Sequence, residues 1–145
     1  MDTIVPGLVV RKEDRLAYEI EAIEMGWRLG LHASDWENLL GLAHRYGWRP
    51  SAGLDHYLHL QGSRQIVPPS EARALARVLE GALRDLPPER RKEFRFADAL
   101  GGSVYEVPRP GPDADYERYF SWGRCWIVEE VMRFCQQGAV EIRPI

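Results

Sequence analysis

His56 and His59, with Asp55 before them, are the tightest group of potential metal ligands in the chain, within the run Asp55-His56-Tyr57-Leu58-His59-Leu60. On a helix this spacing sets both imidazoles on one face; on a strand it sets them on opposite faces. The segment follows Gly53 and reads as strand or loop, so the two rings are not expected to converge. A zinc centre takes three or four protein ligands, and no second Cys/His group stands at ligand spacing, although His32 and His44 could arrive through folding. A metal-dependent hydrolase using His56 and His59 is thus the alternative expectation, and no cofactor the leading one. Asp113, Asp115 and Glu117 spell the opening of a calcium loop, but Arg118 and Arg124 stand where such a loop requires glycine and a closing Glu.

Nucleophiles are scarcer. Cys125 sits beside Arg124 near the start of a helix, where the helix dipole would favour a thiolate. No histidine lies near it in sequence to act as base, and Trp122 and Trp126 flank it, so it reads as core. Cys135 falls at the other end of the same helix, where the dipole opposes a thiolate. Ser103 lacks a nucleophile elbow, and no glycine-rich phosphate loop is present.

Two surface constellations remain. Arg90, Arg91, Lys92 and Arg95 surround Phe94, but Glu89, Glu93 and Asp98 interleave with them. They read as a solvated helix face, with a nucleic-acid binder as the alternative. Tyr116, Tyr119, Phe120, Trp122 and Trp126 place five aromatics in eleven residues, more than one helix face normally buries. Tyr and Arg are hot-spot residues, so Tyr116, Tyr119 and Phe120, with Arg118, Asp113 and Asp115 around them, are the candidate partner-binding surface. A lid over the core is the competing reading of the same aromatics.

The elements that must position these residues are legible from period and punctuation. Ile4–Val10, broken by Pro6-Gly7, reads as an edge strand or clamped arm. Leu16–Ala22 alternates as a half-buried strand. A helix is the rival, with Leu16, Ile20, Ile23 and Trp27 on one face, but Gly26 interrupts it and Trp27, Leu29 and Leu31 alternate again, giving a hairpin that turns near Glu24–Gly26. Ser34–Gly47 reads as a complete amphipathic helix. Ser34 and Glu37 match a capping box, Trp36, Leu39, Leu40, Ala43 and Tyr46 share a face, and Gly47 and Pro50 mark the stop. Residues 51–67 read as loop plus short strand.

Pro68-Pro69-Ser70 opens a second helix to about Asp85, with Ala72, Leu75, Ala76, Leu79, Ala82, Leu83 and Leu86 as its buried stripe. Glu89–Leu100 adds a short charged helical piece. Gly101–Pro112 is irregular, with a short strand at Val104–Val107. A third helix from about Ser121 to Gln137 is expected to bury Trp122, Trp126, Ile127, Val131, Phe134 and Cys135. Gly138 stops it, and Ala139–Ile145 forms a last strand.

The expected architecture is therefore α+β: one compact domain over residues 1–145, about three helices on a small, mainly antiparallel sheet. A chain of 145 residues, 45% hydrophobic and 28% charged, suffices for one core. Its net charge of −3 argues against broad phosphate binding, although residues 61–109 are mildly basic. No signal-peptide pattern or membrane-length apolar run is present. Two cysteines ten residues apart on one helix cannot pair. A cytoplasmic protein with reduced thiols is the expectation.

Three stretches resemble a group of small bacterial proteins with this order of elements: Trp36-x-x-Leu39-Leu40-x-Leu42-Ala43-x-x-Tyr46-Gly47-Trp48-x-Pro50, Glu71-Ala72-x-x-Leu75-Ala76-x-x-Leu79, and Phe134-Cys135-x-x-Gly138. These are core, cap and stop residues. The resemblance implies the fold and carries no catalytic residue, because no reaction is assigned to the group. The leading expectation is a non-enzymatic module that docks on a larger protein and regulates or inhibits it. Immunity proteins and phage-type inhibitors, for example of RNA polymerase, fit that description. No membrane, direct nucleic-acid ligand or small-molecule substrate is expected.

Overall fold

The structure, a computed structural model, describes residues 3–5, 8–10, 16–58, 60, 63–87, 89, 92, 119–120 and 124–145. The elements in chain order are β1 (Thr3–Val5), β2 (Leu8–Val10), β3 (Leu16–Ala22), β4 (Trp27–His32), α1 (Ala33–Arg45), α2 (Leu54–Leu58), β5 (Gln65–Val67), α3 (Pro69–Asp85), α4 (Arg124–Gln136) and β6 (Val140–Pro144). The fold is α+β, and the main sheet is antiparallel throughout, in the order β4-β3-β6-β5. The last strand of the chain is thus an interior strand, seated between β3 and β5.

Period-two alternation divides the sheet. Ile20, Ala22, Leu31, Val67, Val140 and Ile142 are fully buried and join the helices in one core. Each large side chain among them contributes on the order of 1.5–3 kcal/mol by leaving water. The other face is an ionic ladder. Arg143 pairs with Glu19, with Glu21 at 2.9 Å and with Glu141 at 3.2 Å, while Arg28 reaches Glu21 and Arg64 reaches Glu141. An irregularity in register between Leu16 and Tyr18 lays Leu16 over Gly30. A Cβ at residue 30 would stand 2.8 Å from its methyl, so the half-exposed Leu16 side chain would have to move to admit one.

α3 carries the predicted stripe intact: Ala72, Leu75, Ala76, Leu79, Ala82, Leu83 and Leu86 are all buried. α1 differs at its start. It begins at Ala33, with His32 as N-cap and no side-chain capping bond, so the expected Ser34–Glu37 capping box is not formed. The reason is that β4 runs straight into the helix, which moves Ser34 inside the first turn. Its stop is as expected. Gly47 has φ +96°, its N–H donates to His44 O (3.1 Å), and Trp48 N–H donates to Ala43 O (2.9 Å), a Schellman arrangement.

Two further expectations are corrected. The Asp55–Leu58 part of the segment read as strand or loop is helical, α2, because burying Tyr57 against Trp36 matters more than local alternation. The Trp36 indole N–H donates to Tyr57 O at 2.8 Å. The N-terminal arm is two strands, β1 and β2, paired antiparallel with Ile4 opposite Val9. The predicted strand at Val104–Val107 lies outside the described residues, as does most of Glu89–Leu100. Among the described residues no helix is long and apolar enough to cross a membrane.

Candidate functional site

Tyr119 and Phe120, the centre of the aromatic candidate surface, belong to the core: Phe120 is only 1% exposed, and Tyr119 O accepts from Asn38 Nδ2 at 3.1 Å. This corrects their assignment as partner-facing residues, and they follow the lid reading instead. Tyr116, Arg118, Asp113 and Asp115 lie outside the described residues. Trp126, expected to be buried, is 44% exposed, because Cys125, Ile127 and Val128 take the core-facing positions of that turn of α4. Arg90, Arg91 and Arg95 also lie outside the described residues, and Lys92 is exposed.

His56 is exposed on α2, its ring edge-on to Tyr57 at 4.9 Å, while His59 lies outside the described residues. His44 contacts Arg49. Among the described residues, His32 Nδ1 is buried without a hydrogen-bond partner. Among the described residues no three His, Cys, Asp or Glu side chains gather as metal ligands. Both cysteines are buried, and neither is in a disulfide. Cys125 Sγ lies 3.5 Å from Glu129 Oε1, and burial pushes the Cys135 thiol up to about 12, the mark of an inert core thiol.

A polar cluster lies around Glu71, in the first turn of α3. Its carboxylate accepts from Ser51 N–H at 2.7 Å and lies 3.5 Å from the Tyr57 hydroxyl, while its carbonyl accepts from the Trp48 indole at 3.0 Å. Hydrogen bonding from Ser51, with a smaller share from Tyr57, holds the carboxyl below its usual range. Burial, then the neighbouring Glu71 charge, raises Tyr57. The two groups therefore move apart, away from neutrality, the opposite of what acid–base catalysis near pH 7 needs. The cluster is a clamp that fastens the loop after α1 to α3.

Exposed apolar surface gathers at the β3–β4 turn. Ala22 pairs with Trp27, so the loop is Ile23–Gly26, closed by Met25 and Gly26 N–H groups donating to Ala22 O (3.1 and 2.8 Å). Gly26, at φ +70°, supplies the left-handed position that brings the chain back. The turn presents Ile23 (41% exposed), Met25 (48%) and Trp27 (39%). The Trp27 ring is braced on Phe134 of α4, with centroids 5.8 Å apart and planes at 51°. Sequence reading found the hairpin and missed its exposed apolar cluster; the signal available was three large apolar residues in five at a solvent turn.

Beside it, α3 and α4 leave a groove of about 210 Å³ lined by Arg73, Ala76, Arg77, Glu80 and Gln136. Gly138 joins the two features. Around the position its Cβ would take, Arg73 Nη2 and the Glu24 carboxylate both stand 3.6 Å away, so the groove and the hairpin turn meet over the end of α4. Compared with protein-family models, curated proteins and solved structures, the chain matches none.

Proposed function

We propose that this chain is a non-enzymatic protein-binding module that regulates or inhibits a larger protein, docking through the β3–β4 turn. The observation that carries the reading is Trp27, exposed yet held in place by Phe134, between Met25 and the flanking charges Glu24 and Arg28. Large apolar side chains fixed before binding lose little entropy on docking, and aromatic anchors ringed by polar groups dominate interface energetics. Tyr116, Arg118, Asp113 and Asp115 keep a place in the proposal on sequence grounds alone.

The test uses the tagged chain as bait in native lysate beside three variants. Wild type and Glu37→Ala, an exposed α1 change remote from the turn, are expected to retain one stoichiometric protein. Trp27→Ala and Met25→Ser are expected to weaken its capture about 30-fold, the effect of losing an anchor worth roughly 2 kcal/mol. Equal capture by all four would reject docking through this turn. Met25→Ser guards against a folding artefact, since its side chain is half in solvent.

A further inference from the structure

We infer that the partner segment which seats on this surface is an acidic, apolar peptide stretch, its hydrophobic residues on the β3–β4 turn and its carboxylates in the α3–α4 groove. This rests on the docking reading above and adds the chemistry of what is docked. Arg73 and Arg77 stand four apart on α3, one turn of helix, and both line the groove. Neither forms an ion pair or hydrogen bond among the described residues, whereas Glu80, which lines the groove beside them, is paired with Arg84 at 3.5 Å. The C-terminal end of α4 offsets at most about half a charge. Glu24 lies across Gly138 without closing a pair with Arg73.

Among the described residues the groove therefore holds guanidinium charge without a partner, in a chain whose net charge is −3. Guanidinium forks favour carboxylates, which they can bind through two parallel bonds. The Gln136 amide adds a neutral donor, and Ala76 leaves the floor shallow. Because Gly138 connects the groove to the turn, one bound segment can span both. That continuity selects a peptide carrying Asp or Glu next to Leu, Phe or Met over a free small anion, which would leave Met25 and Trp27 uncovered.

A displayed library of random 12-residue peptides, panned on the full chain, tests this directly. The expected outcome is enrichment of sequences with net negative charge and at least one large apolar residue. Fluorescence polarisation of the best of them should show affinity falling about tenfold in Arg73→Glu/Arg77→Glu, and again between 50 and 300 mM salt. Arg73→Gln/Arg77→Gln should fall between the two and keeps the test valid if charge reversal disturbs folding. Panning on the Glu variant should shift the enriched sequences toward Lys and Arg.

Enrichment that depends on Met25 and Trp27 but shows no acidic bias would overturn the inference and leave the docking reading standing. No enrichment at all would count against both. Sedimentation showing a dimer that Met25→Ser dissolves would assign the surface to a second copy and overturn the inference as well.

Discussion

Phe120 and Trp126 exchange the roles that their residue types suggest. Phe120, among acidic and basic neighbours, is buried; Trp126, on an apolar helix, is half in water. Aromatic side chains serve cores and interfaces equally well, so residue type and local spacing cannot distinguish the two. Truncation can. Phe120→Ala is expected to lower the unfolding free energy by about 3–5 kcal/mol in urea titration, the cost of removing a buried ring. A loss under about 1 kcal/mol would return Phe120 to the surface. The same ambiguity hid Met25 and Trp27, which look like ordinary hairpin residues until the turn is placed against α4.

At the scale of elements, α1 separates what periodicity can and cannot tell. Its buried face and its glycine stop follow from 3.6-residue spacing and from the positive φ at Gly47. Its start depends on how β4 enters, which Ser34 and Glu37 do not encode. Ser34→Ala is therefore expected to change stability by less than about 0.5 kcal/mol, against about 1 kcal/mol for a working cap. Gly47→Ala should cost about 1 kcal/mol, because alanine must adopt a left-handed conformation there. Thermal unfolding of the pair decides it; a larger loss in Ser34→Ala than in Gly47→Ala would contradict the observed helix start. α2 escaped prediction for a different reason: five residues are too few to display a helical period.

For the molecule as a whole, the Glu71 clamp links the loop after α1 to α3, so its titration is read in global stability. The folded-state value lies below the unfolded one, so the unfolded chain binds more protons between the two. The stabilisation is complete above the usual carboxylate value of about 4.3 and is lost as pH falls through the lowered folded value. Glu71→Gln is expected to be less stable than wild type at pH 7 and to show a shallower decline in Tm below about pH 4.3. Parallel Tm curves for the two proteins would remove the clamp from this account.

The sequence by itself determined the α+β class, the α3 stripe, the β3–β4 hairpin and the stops at Gly47 and Gly138, because each depends on spacing within one short segment. Tertiary structure alone decided that β6 enters the middle of the sheet, that Arg143 gathers Glu19, Glu21 and Glu141, and that Arg73 and Glu24 each approach Gly138 without pairing with one another. Those contacts join residues far apart in the chain, and no local pattern records which distant partner a charge or an edge will find. The candidate site belongs to this second group: its turn lies near residue 25, its brace at residue 134 and its arginines at 73 and 77, and only folding places them on one surface.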